Sequence, residues 1–439
     1  MSEYPALLST RSLLVSFVRR AASIYFREIE VVGEPPSAET GGRIFGANHT
    51  NGLIDPILVL THAPCVIAPL AKSTLWKIPV LRWMLDAVGA VAVKRKVDDP
   101  SMKTEANDGL FEATAKHLGG GGNLLIFPEG VSHTEPHVVK LKTGAGRMLA
   151  RAHEEGARGL TFQAVGIEFD ALDSFRSRAL VVYGPVRKVD AIAERGGDLV
   201  KEITEELRED LSELVVEGAT WSERVLIARV AQLFANDTGD GSLASWNEIG
   251  RQVEAARKML GQEADDRGLY ASVERTVSGY YAALEEAGLR DAEVASTSPS
   301  KSRGRLARRL RLAVALPLAL PGVVLYWLPY QIPRLVTRGD RQKSRDLVST
   351  KKLATGLVVF PLWAGALLGA SFALLPLPVA LAAGGVIVLS PFAALMWLDH
   401  LEHGARGKAD GDLRAQRARV MDVLARARAE IAPARAAVQ

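Results

Sequence analysis

Between Lys352 and Asp399 the chain carries no charged residue, and Pro376-Leu377-Pro378 divides this stretch near its middle. Uncharged runs of that length are unusual in soluble domains. A helix crosses a bilayer in about 20 apolar residues, so Leu353–Leu375 and Val379–Leu398 predict a transmembrane helical hairpin over residues 353–398. A second uncharged segment lies between Arg311 and Arg334, interrupted by Pro317, Pro321, Pro329 and Pro333. Six Lys or Arg in residues 301–311, seven in residues 334–352 and a basic tail after Arg406 flank these segments. Excess Lys and Arg mark cytoplasmic loops. With all three flanks cytoplasmic, the proline-rich segment does not cross once, so residues 312–333 are read as re-entrant or interfacial. Three full crossings are the alternative, and a soluble all-helical core is disfavoured.

The 439 residues suffice for two or three folding units. From residue 40 to 190, short apolar runs alternate with helical patterns. Arg43–Ala47, Cys65–Pro69, Gly89–Val93, Asn123–Phe127, Thr161–Phe169 and Ala179–Tyr183 read as strands, and Lys103–Leu118 and Gly144–His153 as helices. This alternation predicts an α/β domain with a mostly buried mixed sheet, followed by a helical region and the C-terminal membrane helical hairpin. Residues 191–290 are helix-like over Leu199–Val216, Ile249–Leu260 and Tyr270–Ala287, with a loop at Asn236–Gly241. Packing and regulation are both open as their role. Residues 291–311 read as a basic linker and 399–439 as a basic cytoplasmic tail.

Residues 1–30 carry Leu7, Leu8, Leu13, Leu14, Phe17, Val18, Ala21, Ile24 and Tyr25 at helical spacing, with Arg11, Arg19, Arg20 and Arg27 as a basic side. That pattern fits an amphipathic helix on a membrane surface, or a terminal helix packed on the domain. It does not fit a cleaved signal peptide, because the apolar run stops at Arg19-Arg20 without a clean small-residue site. The net charge is only +4. Basic residues beside apolar segments favour an anionic membrane over a nucleic-acid groove, and no basic stretch is interleaved with stacking aromatics. Cys65 is the single cysteine; it excludes an intrachain disulfide and reads as a buried structural thiol within a strand.

Chemistry concentrates in two stretches, Asn48-His49-Thr50-Asn51-Gly52-Leu53-Ile54-Asp55-Pro56 and Phe127-Pro128-Glu129-Gly130. Histidine as a residue type serves as a general base near neutral pH, so His49 suits that role, and a carboxylate could fix its tautomer. On a continuous helix Asp55 would lie about 240° around from His49, so pairing them requires a turn, for which Asn51-Gly52 is suited. Asp55-Pro56 equally fits a helix start, with Asp as cap and Pro in the first turn. Lys94-Arg95-Lys96 ends a strand and suits a phosphate, or simply a solvated basic edge. Gly130 permits close approach of a ligand to the backbone. His133, Lys140 and Lys142 precede the helix start at Gly144-Ala145-Gly146, a place that favours an anion.

Together these stretches resemble the glycerolipid acyltransferase family, which contains glycerol-3-phosphate and lysophosphatidate acyltransferases, over about residues 40–190. The usual signature places four residues between His and Asp, whereas five stand between His49 and Asp55. In this respect, and in Phe175-Arg176-Ser177-Arg178, the chain is similar to the fungal-type glycerol-3-phosphate and dihydroxyacetone-phosphate acyltransferases. Ala164-Val165-Gly166-Ile167 stands where the fourth family block would be, without its customary Pro. The resemblance implies that His49 deprotonates a glycerol hydroxyl and that Asp55 orients His49. It further implies that Arg95 and Lys94 hold the acceptor phosphate and that Glu129 and Gly130 complete the pocket, with His133 and Lys142 as further candidates. No metal or bound cofactor is implied; acyl-CoA or acyl carrier protein would be the cosubstrate. The implied activity is membrane-bound acyl transfer to glycerol-3-phosphate in phospholipid (phosphatidic acid) biosynthesis, with lysophosphatidate as the alternative acceptor. The catalytic domain would lie on the cytoplasmic side, of the cytoplasmic membrane if bacterial.

Other readings are weaker. Gly130-Val131-Ser132-His133-Thr134 begins like a hydrolase nucleophile elbow but lacks its final Gly. Asp399-His400 and Glu402-His403 lack further ligands at metal-binding spacing. An inactive membrane scaffold or lipid-binding protein on the same fold is the remaining alternative.

Overall fold

Strands β2 (Arg43–Ala47) and β6 (Thr161–Phe169) are buried almost end to end, as strands covered on both faces must be. They lie at the centre of a sheet in a computed structural model that describes residues 4–33, 41–94, 108–266, 268–295, 301–340, 344–402 and 411–436. The chain divides into two compact units, Met1–Trp221 with Arg345–Thr350, and Ser222–Ser344 with Lys351–Gln439.

In the first unit, α1 (Tyr4–Tyr25) leads into β1 (Glu28–Val32), then β2, α2 (Ile54–His62) and β3 (Ala68–Lys72). A 3₁₀ turn, α3 (Pro79–Ala87), β4 (Val91–Val93), α4 (Asp108–Gly119), β5 (Asn123–Ile126) and α5 (Gly144–Glu154) follow. The unit continues through β6, β7 (Arg178–Lys188), α6 (Val189–Ala193) and α7 (Leu199–Leu214). The sheet order is β1-β7-β6-β2-β5-β3-β4, with every pair parallel except β6 and β7. Ile44, Phe45, Leu124, Leu125 and Phe162 are fully buried, each stabilising the fold by about 1.5–3 kcal/mol.

Several boundaries differ from those read in the sequence. β1 is an additional strand; Glu28 and Glu30 break its apolar pattern because this edge strand is only partly covered. Cys65 lies in a bend ahead of β3, and burial, its largest influence, pushes the thiol above its ordinary value. β7 runs on to Lys188 because it pairs antiparallel with the whole of β6, around a register shift between Gln163 and Val165. Of the helix read at Lys103–Leu118, residues 103–107 lie outside the described residues, and α4 begins at Asp108.

The amphipathic α1 buries Leu14, Val18, Ala21, Ala22 and Tyr25 and leaves Leu13, Phe17 and Ile24 exposed. Arg11 turns inward, donating to the carbonyls of Ile67, at 2.7 Å, and Val88. At the far end Arg176, the non-glycine residue with a left-handed backbone (φ 62°), donates to the carbonyls of Ile24 at 3.0 Å and Phe26 at 3.2 Å. A cation at a helix C-terminus satisfies carbonyls left without helical partners. Phe175 packs edge-on against Tyr25, and Arg178 pairs with Asp170 at 3.1 Å. Phe175–Arg178 thus anchors the end of α1.

The second unit holds α8 (Trp221–Thr238, from Ser222), α9 (Leu243–Asp266), α10 (Leu269–Glu286) and α11 (Asp291–Ala295). It continues through α12 (Lys301–Val336), α13 (Arg345–Leu374, from Lys351), α14 (Leu377–Glu402) and α15 (Gly411–Ala436). Residues 301–311, read as linker, are the first turns of α12. The basic tail contains α15, whose Leu413, Val420 and Leu424 join a core with Leu226, Val230, Val277 and Leu284. Among the described residues, three stretches are long and apolar enough to cross a membrane: Leu312–Val336, Arg345–Leu374 and Leu377–Asp399. Residues 312–333, read as re-entrant or interfacial, lie within one helix that continues through all four prolines. It runs antiparallel to α14: Trp397 donates to the Leu312 carbonyl, and Tyr326 to that of Ile387. The Leu325 carbonyl, which Pro329 leaves without its helical partner, accepts instead from Trp363 Nε1 at 2.9 Å. His403 lies outside the described residues, and among these no group of three metal-ligating side chains occurs.

Asp291 closes the helical bundle. Its fully buried carboxylate accepts from Tyr280 Oη at 2.7 Å, Asn236 Nδ2 at 2.9 Å and Arg417 Nε at 2.9 Å. Breaking a buried pair leaves an uncompensated charge, so Asp291→Ala is expected to destabilise this unit by about 3–5 kcal/mol. Denaturant unfolding, with hydrogen exchange read in α10 and α15, measures it. A loss below about 1 kcal/mol would place the pair with weak surface bridges.

Candidate active site

The register of adjacent parallel strands brings the two sequence motifs together. β2 pairs with β5 through Gly46 and Ile126, so three residues further on His49 arrives beside Glu129. Both loops leave the carboxyl ends of their strands, where open α/β sheets hold their ligands. The His49 backbone is clamped on both sides: its N–H donates to Glu129 Oε2 at 2.8 Å, and its carbonyl accepts from His133 N at 3.1 Å. The imidazole stacks on Phe127, with ring centroids 4.1 Å apart.

Asp55 reaches His49 as the turn allows. Its Oδ2 lies 3.0 Å from His49 Nδ1 and accepts from Thr50 N at 2.8 Å and Asn51 N at 2.7 Å. The carboxylate therefore folds back over its own loop; Leu53 is the cap of α2, and its own side chain makes no capping hydrogen bond. Asp55 is wholly buried while the imidazole keeps 17% of its exposure. Burial pushes the Asp55 carboxyl above its ordinary value, opposed by the hydrogen bonds of His49, Asn51 and Thr50. An ionised Asp55 accepts a hydrogen bond from Nδ1–H, which holds the tautomer that leaves Nε2 as the basic nitrogen.

Glu129 occupies a different place from a phosphate pocket. Its carboxylate is buried, holds the His49 backbone and lies 2.9 Å from His133 Nε2. An anion so placed would repel a phosphate, so the geometry makes Glu129 and His133 a brace for His49. Burial acts to lower the His133 pKa, but the Glu129 hydrogen bond and charge, with Glu135 and Asp346, raise it overall. Gly130 does border the open space. Its φ is +81°, in the left-handed region that favours glycine, and a Cβ there would fall 2.2 Å from Lys142 Nζ and displace that side chain.

A cavity of about 960 Å3 opens from this point. His49, Gly130, Ser132, Lys142 and Lys94 line it, together with Lys72 and Arg147. Its remaining wall is largely apolar, drawn from α1, α2 and α3 through residues such as Val15, Val18, Ile57, Leu60, Met84 and Leu85. The structure thus brings together His49, Asp55, Gly130, Lys142 and Lys94, while Arg95 lies outside the described residues. Lys72 and Arg147 were not read as site residues. Lys72 ends β3 in register with Val93; ending that strand at Pro69 hid it. Arg147 follows the Gly144–Gly146 helix start by one residue, and that position was its available signal.

Residues 28–168 match the family model described as Acyltransferase. They form an acyltransferase domain. Glycerol-3-phosphate O-acyltransferase 2 of Saccharomyces cerevisiae is 23% identical over 278 residues, covering 58% of this chain and 37% of that protein. Glycerol-3-phosphate O-acyltransferase 1 of the same yeast is 22% identical over 277 residues, covering 58% and 36%. Lyso-ornithine lipid O-acyltransferase of Pseudomonas aeruginosa is 30% identical over 151 residues, covering 34% of this chain and 51% of that protein. The chain thus spans little more than a third of the two yeast relatives and about half of the bacterial one. The matched part of the acyltransferase domain carries both loops, from β1 through β6.

The brace gives a pH signature. Because folding raises the His133 pKa, the pair's stabilisation is full below the ordinary histidine value of 6.5 and fades as pH rises through the raised value. Wild type is therefore expected to exceed His133→Asn in stability most at acid pH, with the difference shrinking toward pH ~9. Parallel denaturant titrations across that range test it; a gap that widens with pH contradicts the assignment.

Proposed function

We propose that this chain is a membrane-bound O-acyltransferase that moves a fatty acyl group from an acyl thioester to glycerol-3-phosphate, forming a precursor of phosphatidic acid. The observation that carries the reading is the His49–Asp55 pair at 3.0 Å, with His49 lining a largely apolar cavity together with Lys72, Lys94, Lys142 and Arg147. The apolar part suits an acyl chain, and the cations suit a phosphate. Arg95, adjoining Lys94, is proposed to hold the phosphate with it.

His49 Nε2 takes the proton of the acceptor hydroxyl as that oxygen attacks the thioester carbonyl carbon. Asp55 stabilises the imidazolium that forms. The carbon–sulfur bond then breaks, and the departing thiolate regains a proton from His49. The new ester and the free thiol balance the reaction, with acyl-CoA or acyl carrier protein as donor. General-base help of this kind contributes about 10²–10⁴-fold. The step calls for no bound metal or cofactor.

Membrane attachment rests on the three long apolar helices, and the exposed Leu13, Phe17 and Ile24 of α1 beside Arg19 and Arg20 support contact with an anionic surface. We place the acyltransferase unit on the cytoplasmic side because of the basic segments that flank the apolar helices. A second acceptor class is favoured by the apolar cavity and by the bacterial relative named for a lyso-lipid. Lysophosphatidate is the corresponding substrate, since it retains the phosphate for the lysines.

The deciding experiment gives the purified full chain, in lipid nanodiscs, labelled acyl thioester with glycerol-3-phosphate, lysophosphatidate or a phosphate-free lyso-lipid. Transfer to glycerol-3-phosphate is expected, with His49→Ala lowering kcat by at least about 10²-fold. Transfer to none of the acceptors by folded wild type defeats the enzyme reading in favour of a scaffold. Unchanged turnover in His49→Ala defeats the mechanism. Lys94→Ala is expected to raise KM for the phosphorylated acceptors and leave that of the phosphate-free lipid unchanged.

A further inference from the structure

Six residues from far along the chain sit on the catalytic loops. Arg345–Thr350, the first turns of α13, belong to the acyltransferase unit, and Val348 and Ser349 are fully buried. Three hydrogen bonds tie this segment down. Thr350 Oγ1 accepts from Leu53 N at 2.9 Å, inside the His49–Asp55 loop. The Asp346 carboxylate accepts from the Ser132 hydroxyl, two residues beyond Gly130. Ser349 donates at 2.7 Å to the Leu172 carbonyl, which also takes Asn51 Nδ2 at 2.9 Å.

Contact is closest at Gly52. A Cβ there would lie 2.7 Å from Thr350 Oγ1 and 3.1 Å from Leu347 Cδ2, and its φ is +44°. Gly52 therefore packs against the start of α13 rather than standing in solvent. Leu347 itself lines the cavity together with His49, Gly52 and Ser132.

We propose that Thr350, Asp346 and Leu347 are working parts of the acyl-transfer site: the first two are positioning residues for its loops, and Leu347 is a specificity-determining wall. The inference rests on the acyl-transfer reading given above. Leu53 is the N-cap of α2, so its N–H has no partner within the helix; Thr350 supplies one. Asp55 follows two residues later, and any drift of Leu53 carries the carboxylate away from His49 Nδ1. Asp346 holds Ser132, the neighbour of the residue whose N–H binds the His49 carbonyl. A displacement of about 1 Å at such a site costs up to about 10²-fold in rate. Leu347 meets the substrate where the acceptor hydroxyl must approach His49, so its size bears on acceptor fit and not on the far end of the acyl chain.

The test uses the full chain in nanodiscs with labelled long-chain acyl-CoA and glycerol-3-phosphate, comparing Thr350→Val, Thr350→Ser, Asp346→Asn and Leu347→Phe with wild type. Thr350→Val is expected to lose about 10–100-fold in kcat, with KM for acyl-CoA unchanged, faster hydrogen exchange at the Leu53 amide and recovery in Thr350→Ser. Asp346→Asn is expected to lower kcat in the same sense, and Leu347→Phe to raise KM for glycerol-3-phosphate alone. Wild-type kcat in both Thr350→Val and Asp346→Asn overturns the inference and leaves the acyl-transfer reading standing. A loss in Thr350→Val that Ser fails to restore also overturns it, marking a packing effect. An inactive wild type defeats the acyl-transfer reading itself.

Discussion

A single oxygen, Asp55 Oδ2, organises the candidate centre. It faces His49 Nδ1 and the amides of Thr50 and Asn51, all within 3.0 Å, and has no access to solvent. A carboxylate removed from water is costly unless its lone pairs are taken up. The loop meets that demand at Oδ2 by curling around it, and the curl sets the imidazole in the wall of the cavity. The base and the shape of its loop thus share one cause.

A second buried carboxylate repeats the arrangement from the opposite side. Glu129 holds the His49 amide while Phe127 supports the ring face. The two loops meet because β2 and β5 are parallel neighbours in register. Sheet topology thereby converts motifs about eighty residues apart into one site. The cations are distributed likewise: Lys72 ends β3, Lys94 follows β4, and Lys142 and Arg147 flank the start of α5.

Motifs whose meaning is local were legible in the sequence. His49 with Asp55, the Gly130 turn, and the strands Arg43–Ala47 and Thr161–Phe169 were read from residue type and apolar runs. What escaped depends on partners distant in sequence. Glu129 read as part of the acceptor pocket, since its anchorage to the His49 backbone is a tertiary contact that the sequence does not display. Lys72 was missed because an apolar run does not mark where a strand's pairing ends. Phe175–Arg178 was read through family likeness, whereas its visible work is to fasten the end of α1. The four prolines of α12 suggested a break, yet the helix persists beside α14.

The discontinuous make-up of the acyltransferase unit bears on the order of events at the ribosome. Synthesis proceeds from the N-terminus, and domains generally fold as they emerge. A nascent chain ending before residue 346 already has the β-sheet, His49 and Asp55, but lacks the hydroxyl that meets Leu53 and the carboxylate that meets Ser132. By the time those groups are made, the apolar stretch of α12 has been translated in full. Maturation of the site is thus timed to follow production of the first long apolar helix.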